Sequence, residues 1–277
     1  MIYLSKQSKT KKPAVVLITG ASRGIGNAIA RKLAQYPESF QVNGTSRQPQ
    51  SDLITENGGV IKFLQLDLTK SDSIADLVDQ LPQVDILINN AGCSHNGPAE
   101  EIPISRVREY FELNFFGMTL LIQAYLPYMR KQRFGYIINI SSMASESPVP
   151  FSSFYAASKA AVNALTYGLA NEIAPFNVKA LVIAPFEVNT ALPQDFLTIP
   201  SSPYYNNSLK VKEARDQGLA GAPSPEIVAE KVFHILSSKS PKNFYPTGKN
   251  ARFKYFLIKH LPRSFIQKQT RKIFNLS

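Results

Sequence analysis

Apolar positions along this chain fall into two alternating patterns. Short continuous aliphatic runs recur, the first being Ala14-Val15-Val16-Leu17-Ile18, and such runs mark strands buried on both faces of a parallel sheet. Comparable runs predict strands at 40–46, 60–66, 84–89, 136–140 and 178–183. Between them, apolar residues recur at helical spacing over 27–33, over 71–81 behind a serine placed to cap it, over a long stretch 101–130, and over 152–171. Strand and helix in alternation predict an α/β fold with a doubly wound parallel sheet and helices on both faces. From Ala191 to Pro223 there is no clear period and prolines recur, so a long irregular insertion, read as a lid or substrate loop, is expected over about 187–223.

Size and composition narrow this to one domain. At 277 residues and 44% hydrophobic content, the chain can bury a single large core over 13–250. No apolar run approaches membrane-spanning length. Residues 1–12 carry four lysines without a long apolar stretch, which reads as a basic tail rather than a secretory signal. The single cysteine, Cys93, excludes an internal disulfide and suits a reducing, cytoplasmic setting. The net charge of +11 is concentrated at the ends: residues 231–277 hold 11 Lys and Arg and no acid, while the body is mildly acidic. That distribution argues against nucleic-acid binding by the folded body. The basic stretch 251–277 carries Phe253, Phe256, Leu257, Phe265 and Ile273 among its cations, with Pro262 expected to split two short helices. An apolar face edged by cations over 251–274 suits peripheral contact with an anionic membrane, and equally suits packing over the loop.

The chemistry lies where strands end. After the first strand, Thr19-Gly20-Ala21-Ser22-Arg23-Gly24-Ile25-Gly26 opens a helix, so its backbone can approach a pyrophosphate and offer it helix amides. About twenty residues on, an acid would select NAD; Ser46 and Arg47 stand there instead, with Arg23 nearby. Those cations point to NADP(H). Asn89-Asn90-Ala91-Gly92 closes the fourth strand with small residues that leave room for a flat ligand. Asn114 interrupts an apolar set, and Ser142 ends the fifth strand. Tyr155 and Lys159 stand one helical turn apart, and a cation beside a phenol favours its ionised form, as a general acid/base requires. No metal site is expected, and neither Cys93 nor His95 is assigned a chemical role.

Together these residues resemble the short-chain dehydrogenase/reductase family, from Ala14 to about Phe274, through Thr19 to Gly26, Asp67, Asn89 to Gly92, Asn114, Ser142, Tyr155 and Lys159. The resemblance implies a Rossmann-like domain with a seven-stranded parallel sheet. It also implies roles: Tyr155 as acid/base, Lys159 lowering its pKa and holding the nicotinamide ribose, Ser142 orienting the substrate oxygen, and Asn114 sustaining a water-linked proton path. Asp67 and Leu68 would bracket the adenine, Asn90, Ala91 and Gly92 would line the cofactor, and Pro185, Val188 and Thr190 would meet its nicotinamide and phosphate end. Phe186 stands where the family usually has glycine, which bears on the space beside the nicotinamide. Several stretches, among them 111–117 and 243–248, look most like the 17β-hydroxysteroid and retinol dehydrogenase-like group. The implied activity is interconversion of a carbonyl and an alcohol on an apolar steroid, retinoid or fatty substrate, by a homodimer or homotetramer. An oxoacyl-thioester reductase and a non-catalytic NADP-binding regulator are the alternatives.

Overall fold

The computed structural model describes residues 12–190 and 192–276, so residues 1–11 of the expected basic tail lie outside the described residues. The first half of the chain runs β1 (Ala14–Ile18), α1 (Gly24–Ala34), β2 (Phe40–Ser46), β3 (Leu53–Ile54), β4 (Val60–Gln65), α2 (Ser71–Gln80), β5 (Ile86–Asn89) and β6 (Ser94–Asn96). It continues through α3 (Ile104–Phe111), a π-helical segment (Glu112–Phe116), α4 (Gly117–Gln132), β7 (Gly135–Ile140) and α5 (Ser153–Ile173). The last third holds β8 (Val178–Phe186), β9 (Gln194–Phe196), α6 (Tyr205–Ala220), α7 (Glu226–Leu236), β10 (Phe244–Gly248), α8 (Ala251–His260) and α9 (Arg263–Ile273).

The main sheet has the order β10-β8-β7-β5-β1-β2-β4-β3. Its first seven strands run parallel, as expected, and the two-residue β3 adds an eighth, antiparallel, at the edge. Alternate residues of β1 serve opposite faces, because side chains on a strand repeat every second position. Val16 and Ile18 pack under α1 and α7, whereas Leu17 packs under α2, α4 and α5. Strand order reverses on either side of β1, and the crevice at the carboxyl ends of β1 and β5 is where such folds hold ligands.

Four local expectations are corrected. The long helix over 101–130 is two helices joined by the π segment, and α3 begins only after Pro103. A wide turn of this kind takes one extra residue and often sits at a functional site. The stretch 192–223 is not irregular, since β9 and the sixteen-residue α6 lie within it. The helix escaped the apolar pattern because its wholly buried residues are a serine and a valine, Ser208 and Val211. Ser71 does not cap α2: no side chain does, and Ser73 Oγ instead accepts from the Asp67 amide at 2.9 Å. The fourth is the phenol of Tyr155, whose pKa is raised rather than lowered. Among the described residues, no helix is long and apolar enough to cross a membrane.

Candidate active site

The turn between β1 and α1 is held open as a cradle. Gly20 and Gly24 adopt positive φ, at +66° and +56°, a conformation that side chains disfavour. A Cβ on Gly26 would stand 2.3 Å from the Gly20 carbonyl and 2.5 Å from Asn90 Nδ2. Asn90 ties this turn to β5 by donating Nδ2 to the carbonyls of Thr19 and Gly20 at 2.9 and 3.2 Å. The Thr19 hydroxyl accepts from the amides of Asn90 and Ala91 in return. Residues 20–26 and 90–92, far apart in sequence, thus form one wall. No side chain caps α1, and its first turn carries no acid. Free amides at a helix start suit a phosphate group, so the residues present fit a dinucleotide. Ser22 and Arg23 are exposed at the rim, while Ile25 packs against the core.

Ser46 ends β2, and Arg47 follows it, exposed. Arg47, Gln65, Asp67 and Lys70 line part of a surface hollow of about 760 Å³. Burial works against the Asp67 carboxylate, but two hydrogen bonds from Thr69 and the charges of Lys70 and Arg47 outweigh it and lower its pKa. Leu68 is buried in the core beside Gly117, so Asp67 is the member of this pair on the hollow. At the opposite end, Val188 is buried in the core and Thr190 lies across from Gly24, 3.8 Å from where a Cβ would stand. Pro185 pairs with Thr247 of β10.

The four candidate catalytic residues converge at the carboxyl ends of β5 and β7. Asn114 sits in the π segment, where Nδ2 donates to the Cys93 carbonyl at 3.0 Å and Oδ1 accepts the Cys93 amide at 2.9 Å. A third bond, from Nδ2 to Ser158 Oγ at 3.2 Å, links it to the helix of Tyr155. Gly92 leaves the gap between Asn114 and Lys159: a Cβ there would stand 2.9 Å from Asn114 Oδ1 and 3.5 Å from Lys159 Nζ. The buried Lys159 ammonium donates to the Ile140 carbonyl at 3.0 Å, and burial lowers its pKa to about 8. Burial likewise raises the Cys93 thiol to about 11, which leaves it unreactive.

The electrostatics of Tyr155 differ from expectation. Burial raises the phenol above its ordinary value, opposed by hydrogen bonding with Ser142 and by the charge of Arg215. The Lys159 ammonium stands 6.0 Å from the centre of the phenol ring and donates to the Ile140 carbonyl. Arg215 reaches in from α6 to donate to Ser152 Oγ at 2.9 Å, and that hydroxyl donates in turn to the His95 carbonyl at 3.0 Å. Neither Arg215 nor Ser152 was legible as a site residue. Position in the chain gave no signal, since only the packing of α6 brings them together. Phe186 also finds its place in three dimensions: its ring joins Met143, Phe244, Tyr255 and Ile258, with the Lys254 ammonium 3.7 Å from its centre. The C-terminal α8 therefore covers the bulk that stands in for glycine.

His95 is wholly buried, stacks on Tyr110 at 4.8 Å, and has no hydrogen-bond partner for either ring nitrogen among the described residues. Burial, reinforced by Arg215, lowers its pKa from 6.5 to about 4. The folded protein thus keeps the imidazole neutral where the unfolded chain protonates it, so stability is lost as pH falls from 6.5 towards 4. The loss is expected to reach about 3 kcal/mol. Urea unfolding across that window should show a shallower decline in His95→Phe, and identical slopes would refute this assignment.

The sequence profile described as short chain dehydrogenase matches residues 14–198. The chain belongs to the short-chain dehydrogenase family. It is an oxidoreductase acting on CH–OH or carbonyl groups with NAD(P). The 3-ketodihydrosphingosine reductase of Bacteroides thetaiotaomicron is 34% identical over 238 residues, covering 83% of this chain and 86% of its own. Human retinol dehydrogenase 8 is 31% identical over 247 residues, covering 83% of this chain and 79% of its own. A crystal structure of a short-chain dehydrogenase from Streptomyces avermitilis superposes with a TM-score of 0.76 at 31% identity, over 95% of this chain and 97% of that one. The short-chain dehydrogenase assignment is thus carried by sequence over most of the chain and by fold over nearly all of it.

Proposed function

We propose that this short-chain dehydrogenase is an NADP(H)-dependent reductase of a carbonyl on an apolar, lipid-type substrate of steroid, retinoid or fatty kind. The observation that carries the reading is the convergence of Tyr155, Ser142, Lys159 and Asn114 beside the Gly20–Gly26 cradle. Tyr155 gives or takes the proton on the substrate oxygen, and Ser142 orients that oxygen. Lys159 holds the nicotinamide ribose, and Asn114 keeps the polar route behind it in place. A bound NADP(H) supplies or accepts the hydride. Gly20, Ser22, Gly24, Ile25 and Gly26 would hold its pyrophosphate, and Ser46, Arg47 and Arg23 the extra phosphate. Asp67 and Leu68 would flank the adenine; Asn90, Ala91, Gly92, Pro185, Val188 and Thr190 would line the rest. The lipid-type substrate draws support from relatives named for ketodihydrosphingosine and retinol. NADPH consumption against steroid, retinoid, fatty and acyl-thioester carbonyls tests the reading. Folded protein that binds NADPH yet consumes none with any of them would overturn it.

Residues 13–250 form the catalytic domain in this reading, and 251–277 a separate device at its edge. Lys259 and Lys254 fasten that device to Glu146 and Glu187 at 2.7 and 3.8 Å. Ile273 and Phe274 reach Lys210 and Gln217 of α6 across a small hollow. Even so, Phe253 stays 63% exposed, Ile273 70%, and Phe256 and Phe265 about half, among seven Lys and Arg with no acid. Exposed aromatics ringed by cations suit the surface of an anionic membrane. Vesicles rich in phosphatidylserine are expected to sediment the protein at low salt, and Phe253→Ser with Phe256→Ser to reduce this roughly tenfold or more. Undiminished sedimentation of the double variant would overturn the lipid role. Exposed Phe116 and Leu120, one turn apart where the π segment runs into α4, support assembly as a homodimer or homotetramer.

A further inference from the structure

The inward face of α6 is polar at both ends. Ser208 is wholly buried and donates to Asn96 Oδ1 at 2.6 Å while sharing a hydrogen bond with Thr198. Val211, one turn on, is wholly buried too. Arg215 is seven residues beyond Ser208, two turns along the same face. Its donation to Ser152 Oγ brings the guanidinium beside the helix start that carries Tyr155. Among the described residues, no carboxylate lies within ion-pair distance of Arg215. Its neighbour Asp216 is bound instead to Lys212 at 2.6 Å on the outer face. One hydroxyl accepts from a guanidinium that has five N–H donors.

A partly buried arginine without a counter-charge is costly to a folded protein unless something compensates it. Its contact with Ser152 holds it at the start of the helix that carries Tyr155, three residues before the phenol, and its charge acts on that phenol. We propose that Arg215 binds an anionic oxygen group on the substrate, of carboxylate type, a few atoms from the reacting carbonyl. The planar guanidinium matches a carboxylate with two parallel hydrogen bonds, which gives orientation as well as attraction. The substrate is then an oxo acid or its close equivalent carrying an apolar chain, rather than a neutral ketone; an amine at that position would meet a like charge. This rests on the reductase reading for its reacting carbonyl, but the binding claim stands apart from turnover.

Two measurements separate the claims. In the first, long-chain 3-oxo carboxylates are compared with the matching methyl ketones and amino ketones, in wild type, Arg215→Gln and Arg215→Lys. The acid is expected to be preferred, and the ratio of its kcat/KM to that of the ketone to fall roughly 10- to 100-fold in Arg215→Gln and less in Arg215→Lys. A fall of equal size for all substrates, with a shifted pH profile, would mean that Arg215 acts only through Tyr155, and would overturn the proposal. In the second, a fatty carboxylate and the corresponding alcohol, neither of them reducible, are titrated into the same proteins, and the shift in Tm is read. Protection of wild type by the carboxylate, lost in Arg215→Gln, is expected whether or not any carbonyl is turned over. Equal protection of both proteins would refute the site. The ligand-free Tm of each variant shows whether it has folded.

Discussion

Replacing Tyr155 with phenylalanine is expected to lower carbonyl reduction roughly 10²- to 10⁴-fold, the usual worth of a positioned acid/base. The change removes one oxygen and leaves a ring of nearly the same volume, in a side chain that is only 9% exposed. Packing around α5 should therefore survive, and the Tm should fall by no more than a few degrees. What disappears is the group on which Ser142 and Arg215 both act. Because the phenol is pushed up by burial, it is protonated near neutrality, which suits it to donate in the reductive direction. Turnover is measured under saturating NADPH together with cofactor binding by fluorescence. A phenylalanine variant within tenfold of wild type would remove Tyr155 from the chemistry.

The other large effect concerns the choice of dinucleotide. Arg23 and Arg47 both stand exposed beside the cradle, and among the described residues no carboxylate lies within ion-pair distance of either. Each is thus available to an anionic ligand at little desolvation cost. A hydrogen bond to a charged group contributes about 1.5–3 kcal/mol, so losing two should weaken NADPH binding roughly 10²- to 10⁴-fold. The double change Arg23→Ser with Arg47→Asp is therefore expected to reverse the preference, sparing NADH and supplying an acid able to accept from a ribose hydroxyl. Dissociation constants for both dinucleotides check this. A double variant whose NADPH affinity falls less than fivefold would show that the extra phosphate is not held here.

The parts of this molecule legible in its sequence are those whose signal is local. Ala14 to Ile18 could be read as a doubly covered strand because both faces of the sheet take its side chains. The cradle could be read because Gly20, Gly24 and Gly26 crowd into the few residues that lead from that strand into the first turn of α1. Tyr155 and Lys159 lie on one helix, so their proximity was set by helical spacing alone. Their electrical relationship was not, because the reach of Lys159 is decided by the Ile140 carbonyl, a residue on β7. Arg215 was invisible for a related reason. Its helix shows no apolar stripe, and its role depends on Ser208 meeting Asn96 more than a hundred residues away. The family resemblance reached Asn114, Ser142, Tyr155 and Lys159 but not the helix laid over them.

The π segment at Glu112–Phe116 sets the phase between its neighbours. Each residue of an α-helix advances by about 100°, so one extra residue rotates everything after it by that amount. The buried stripe of α3, at Val107 and Tyr110, is consequently out of step with that of α4, at Leu121, Tyr125 and Met129. Each stripe can then follow a different neighbour: α3 leans towards β9 through Tyr110 and Asp195, and α4 lies against the sheet. Asn114 sits at the gear change, so its grip on Cys93 depends on the number of residues in that turn as much as on its own identity.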